Sequence, residues 1–139
     1  MAKLVLNPDA VFDAFWATAL EDAQHMENDL ACEQDRPARD IDGDVSADRA
    51  TEYRAAVAKV CELAAPLIAA QNRNTFPRRC PDGDLDAVFG SDLYLTSHGH
   101  GAGFWDGDWE PIGDELTEIA KHAPSGDLCE HTDGGYFFM

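Results

Sequence analysis

Residues 46–71, SADRATEYRAAVAKVCELAAPLIAAQ, set Ala50, Tyr53, Val57, Val60, Cys61, Ala64 and Ile68 at three- and four-residue steps. That spacing gathers side chains onto one stripe of an α-helix. A stripe this apolar must be covered, so the chain has to supply a second layer. Residues 7–26, NPDAVFDAFWATALEDAQHM, supply a helix with its own broad face of Val11, Phe12, Phe15, Trp16, Ala19 and Ala23. Asn7 is a good N-cap, Pro8 suits the first helical position, and Asp9 favours the positive end of the helix dipole. Ser46 is expected to cap the second helix. Pro66 is expected to kink it or to split off its final turn, because proline removes a ladder hydrogen bond.

Between these helices, residues 27–45 lose the helical period and hold Pro37 and Gly43, which predicts a long acidic connection. After them, NTFPRRCPDG reads as turns and DLDAVFG as a short helical turn. SDLYLTS alternates as a strand, with Leu93 and Leu95 on one side and Tyr94 and Thr96 on the other. EPIGDELTEIAKHA predicts a third helix with Ile112, Leu116, Ile119, Ala120 and Ala123 inward. GDLCEHTDGGYFFM predicts two short strands around an Asp133-Gly134 turn. The expected fold is α+β: N-terminal helices packed on a small antiparallel β-sheet with one further helix. The 139 residues make one domain, helical over about 1–72 and β-rich over about 82–139.

A domain of this size buries about two thirds of its unfolded surface and needs no disulfide or metal to fold. Cys32, Cys61, Cys80 and Cys129 form no CxxC pair, so free thiols are expected. No apolar run approaches the roughly 20 residues of a membrane span. The opening MAKLVLNPDA has too short an apolar run for a signal peptide, which places the protein in the cytoplasm. No cofactor or metal is implied.

Charge narrows the partner. The chain has 27 acids against 10 bases, a net of −17. Residues 1–45 carry 11 acids and 3 bases, residues 46–80 carry 3 and 6, and residues 81–139 carry 13 acids with Lys121 as the only base. Such a field repels nucleic acid and anionic membranes and attracts basic protein surfaces. The basic cluster at Arg73, Arg78 and Arg79 is small beside it, so direct nucleic-acid binding is not expected. The same charge also serves solubility alone, or adaptation to high salt.

The stretch SHGHGAGFWDGDW, residues 97–109, alternates Gly99, Gly101 and Gly103 with His100 and Ala102. Glycine at this density supplies positive φ angles or a close backbone approach. It lacks the lysine of a phosphate-binding loop. His98 with His100, and Asp106 with Asp108, offer HxH and DxD pairs for a divalent cation or for acid–base work. A structural turn, with Phe104, Trp105 and Trp109 anchoring it, explains the same composition.

DLYLTSHGHGAGFWDGDW, GDELTEIAKHA and DLCEHTDGGYFF together resemble a family of small uncharacterised bacteriophage and prophage proteins. The family carries a GHGAGFWD-type signature, matched by Gly99 to Asp106, then a helix opening G-D-x-L-T and a C-terminal hairpin. Ser97 and His98 depart from it where members commonly have a basic residue and Asn. The resemblance implies phage origin and a life in the host cytoplasm, and it brings no catalytic activity.

Charge and resemblance together give the functional expectation. The chain is read as an inhibitor that binds a basic nucleic-acid-binding host protein, such as a CRISPR effector or a restriction enzyme, with carboxylates in place of phosphates. The expected docking residues are Asp82, Asp84, Asp86, Asp106, Asp108, Glu110, Asp114, Glu115 and Glu118, with Trp105 and Trp109. The acids of the connection (Glu27, Asp29, Glu33, Asp35, Asp40, Asp42 and Asp44) are a further candidate element. Two alternatives stand beside it. One is a phage interaction module that binds through exposed aromatics without imitating nucleic acid. The other is a metal-dependent enzyme using the loop His98–Asp108.

Overall fold

A computed structural model describes residues 4–71, 84–99, 103–105 and 107–139. Arg73, Arg78, Arg79, Cys80, Asp82, His100 and Asp106 lie outside the described residues.

Asn7 caps the first helix, α1 (Pro8–Glu33), its side-chain oxygen accepting the N–H groups of Asp9 and Ala10. Val11, Phe12, Phe15, Trp16 and Ala19 are buried as their spacing predicts. The helix does not end near Met26. It continues to Glu33, burying Ala31, so Glu27, Asp29 and Glu33 are helical and the connection begins only at Gln34. The apolar period fades there because the helix leaves the core, while Glu, Leu and Ala remain good helix formers. The helix stops where Asp35 takes a positive φ of 51° and Arg36 N–H returns to the Ala31 carbonyl at 3.0 Å.

The second helix, α2 (Ala50–Ala69), buries the expected stripe from Tyr53 to Ile68. Ser46 does not cap it. Its hydroxyl donates to Asp48 Oδ1 at 2.6 Å, and its carbonyl accepts the N–H groups of Arg49 and Ala50. Pro66 lies in the last turn, so the helix loses one ladder bond and still runs on to Ala69. Burial holds the Cys61 thiol protonated, its pKa pushed up to about 12. Cys32, Cys61 and Cys129 are free thiols.

The predicted strand at 92–96 is a helix. Residues Leu85–Ser97 form α3, with the Asp84 carboxylate capping its first turn through Asp86 N–H and Ala87 N–H. Phe89 and Leu93 are four apart on one buried face, and the apparent alternation of Leu93 with Leu95 is incidental to that period. Gly90 sits inside the helix for a steric reason. A β-carbon there would overlap the Val11 carbonyl oxygen and lie 2.7 Å from Ala14 Cβ, so α3 crosses α1 backbone to backbone.

Only Gly113–Ile119 of the predicted third helix is α-helical (α4), followed by a 3-10 turn at Ala120–His122. Ile112, Leu116, Ala120 and Ala123 point inward as expected, whereas Ile119 is half-buried. The C-terminal hairpin pairs β1 (Leu128–Glu130) with β2 (Tyr136–Phe138), antiparallel, with Cys129 opposite Phe137. The fold is therefore α+β, with helices dominating both halves of the described chain. Phe138 carries the helices onto the sheet: the rings of Phe15, Trp16 and Tyr53 lie 6.1, 5.8 and 5.5 Å from its centroid. No helix among the described residues is long and apolar enough to cross a membrane.

Candidate functional site

The connection from Gln34 to Ser46 is bound down along α1 as a strap. At its start the Glu27 carboxylate takes both Arg36 guanidinium nitrogens, at 2.9 and 3.0 Å, and the Arg39 N–H at 2.7 Å. These bonds, the Arg36 fork first, lower the Glu27 pKa from the ordinary 4.5 to about 2. Farther along, the Gln24 amide grips the backbone on both sides, donating to Arg39 O at 2.9 Å and accepting Ile41 N–H at 2.6 Å. Trp16 then donates its indole N–H to Gly43 O at 2.9 Å. At the far end Val45 bridges Tyr136, with Ser46 N–H donating to Tyr136 O and Tyr136 N–H to Asp44 O.

These anchors turn alternate residues inward. Ile41, Gly43 and Val45 are half-buried, and Asp40, Asp42 and Asp44 are exposed. Alternate residues of an extended chain share one side about 6–7 Å apart, so three carboxylates stand in a row on a fixed backbone. None of the three has an ion-pair partner among the described residues. All six described lysines and arginines are already within 4.0 Å of another carboxylate.

The other acids of the expected docking set divide by environment. Asp84 is spent on the α3 cap, and Asp86 Oδ1 accepts the Asn7 N–H at 2.8 Å, tying α3 to the start of α1. Glu118 pairs with Lys121 at 2.8 Å. Glu110, Asp114 and Glu115 are exposed, and Asp108 is half-buried. Trp105 keeps 40% of its surface exposed. Trp109 must be corrected: it is fully buried among Phe89 and Phe104, its indole N–H donating to the buried Asp92 carboxylate at 2.6 Å. A side chain so enclosed meets no partner. Asp92, which sequence reasoning placed on a strand, is the hidden member of this pair.

The described part of the glycine loop packs against the end of α3. Thr96 Oγ1 donates to Asp92 O and accepts Phe104 N–H at 3.0 Å, and a β-carbon on Gly103 would overlap that hydroxyl. His98 stacks on Tyr94 with ring centroids 4.0 Å apart, and its Nδ1 lies 3.0 Å from Tyr94 O. Burial and the 2.7 Å bond to Asp22 raise the Tyr94 pKa.

One histidine cluster was not foreseen. His131 lies between Asp48 (3.3 Å) and Asp133 (3.2 Å). The Ser46 hydroxyl holds the Asp48 carboxyl below its usual range, and the Gly135 and Ala47 N–H groups do the same for Asp133. These bonds clasp the hairpin turn to the turn before α2. Its members lie 83 and 2 residues apart along the chain, with Asp133 hydrogen-bonded to backbone N–H groups, so no spacing motif announces it. No family model, no curated protein and no solved structure matches the chain.

Proposed function

We propose that this protein binds a basic, nucleic-acid-binding protein and keeps nucleic acid off it, with the strap standing in for a stretch of phosphate backbone. The observation that carries this reading is the row Asp40, Asp42 and Asp44, fixed by Gln24, Trp16 and Tyr136 and without an ion-pair partner among the described residues. Carboxylates on a pinned backbone lose little freedom on binding, so their attraction for a basic groove is not spent on ordering them. The resemblance of Gly99–Asp106 to bacteriophage proteins directs the choice of target to a bacterial defence protein, met in the host cytoplasm.

The test is capture from bacterial lysate on immobilised protein, followed by elution with duplex or single-stranded DNA and with salt. The expected partner elutes with nucleic acid, binds more weakly as salt rises, and is lost to the triple variant Asp40→Asn, Asp42→Asn, Asp44→Asn. A captured protein that accepts DNA undiminished while still bound overturns the reading. The exposure of Trp105 favours a second reading, an interaction module without mimicry. In that case Trp105→Ala abolishes capture and the triple variant does not.

A further inference from the structure

Beside the acid row lies a groove of about 690 Å³ between α1, the strap and the start of α2. Its floor is apolar, built from Phe12, Trp16, Leu20 and Val45, with Phe12 and Trp16 stacked at an interplanar angle of 8°. Its rim carries Asp13, Asp42 and Asp44, all exposed and none with an ion-pair partner among the described residues. Among the described residues one cation, Arg54, lines it. The Arg54 guanidinium lies 4.4 Å from the Phe12 ring centroid and 3.8 Å from Asp9 at the head of α1. The contact to Asp9 is long, and both side chains are largely exposed, so it restrains Arg54 weakly.

We propose that this groove is a receptor for an arginine side chain of the partner, with Arg54 as the resident occupant that an incoming guanidinium joins or displaces. The proposal deepens the mimicry reading and rests on it for the partner's basic character. Three physical features select arginine. A planar guanidinium is attracted to the face of an aromatic ring, and that of Arg54 already lies over Phe12. Its fork of N–H groups engages carboxylates from two sides, and Asp13 on α1 faces the groove with Asp42 and Asp44 on the strap. Its aliphatic stem covers the Leu20 and Val45 surface that water otherwise wets. A lysine ammonium meets only the charge. A nucleic acid mimic with an arginine receptor at its edge is thereby matched to proteins that grip phosphate with arginine.

The probe is a capped Gly-Arg-Gly peptide titrated into the isotopically labelled full chain, with capped Gly-Lys-Gly as the comparison. The Trp16 indole N–H, bonded to Gly43 O at the groove floor, is the reporter in proton–nitrogen correlation spectra. The arginine peptide is expected to shift the Trp16 indole and the Gly43 amide, and to bind more tightly than the lysine peptide. The double variant Asp42→Asn, Asp44→Asn should weaken binding about fivefold, the scale of exposed charge pairs. Arg54→Gln should strengthen it about two- to threefold, since it removes the competitor and one like charge. Equal binding of the two peptides, shifts confined to other residues, or weaker binding by Arg54→Gln each overturn the receptor. The two readings fail separately: an Arg54→Gln gain in peptide affinity, beside a partner that keeps its DNA, retains the groove and discards mimicry.

Discussion

The strap and the aromatic centre around Trp109 are both fixed, but by opposite means. The centre is held by rings that exclude water: Phe89, Phe104 and Trp109 are fully buried with centroids 5.0 to 5.6 Å apart, and a single carboxylate, Asp92, is buried with them. The strap buries little and is held by hydrogen bonds and a forked ion pair at spaced points. Apolar enclosure gives stability and leaves nothing to offer a partner. Polar pinning gives less stability and leaves alternate side chains facing solvent in a set order, which suits recognition.

Substitutions that dismantle each kind of support should separate the two regions. The largest effect is expected from Trp109→Ala, which opens a cavity and takes the indole N–H away from the buried Asp92 carboxylate. A loss of about 3–5 kcal/mol in urea unfolding is expected, and a loss under 1 kcal/mol would place the centre on the same footing as the strap. Gly90→Ala comes next. Alanine is the better helix former by nearly 1 kcal/mol, yet the close crossing of α1 and α3 should make the variant less stable by about 1–3 kcal/mol. A stabilised variant would show that the helices separate cheaply.

Trp16→Phe removes one bond to the strap and keeps most of the ring. It should lower stability by about 1 kcal/mol and speed amide exchange at Ile41 and Val45 more than at Phe89. Uniform exchange would mean that the strap is not a separate unit. Glu27→Gln gives the smallest effect and reads as a pH dependence. The folded pKa of about 2 lies below the ordinary 4.5, so the carboxylate stabilises the fold above pH 4.5 and loses that contribution as pH falls through 2. The gap in melting temperature between wild type and variant should therefore close between pH 4.5 and 2. A gap independent of pH would remove the forked pair from the strap's supports.

Much of this scaffold is written locally. The Asn7 cap of α1, the apolar stripes of α1 and α2 and the Asp133-Gly134 turn follow from residues that act within one or two turns of chain. The alternation of SDLYLTS points to a strand, whereas the helix at 85–97 depends on the close approach of α1 that Gly90 permits, and that contact lies 76–79 residues away. Trp109 and Asp92 likewise become a pair only across 17 residues. The acids of the site were legible as charge but not as arrangement. Which were free and which were caps depended on Gln24, Trp16 and Asn7, whose side chains carry no signature of what they will hold.

The parallel bridge between Val45 and Tyr136 has a mechanical consequence. Ser46 N–H and the Asp44 carbonyl both bond to the backbone of Tyr136, so the strap ends as a short third ribbon beside β2. A pull along the strap stresses these two bonds simultaneously, in shear, whereas a pull outward breaks the contacts one after another. A binding partner that tugs lengthwise therefore meets a stiff handle, and one that lifts from above meets a zip.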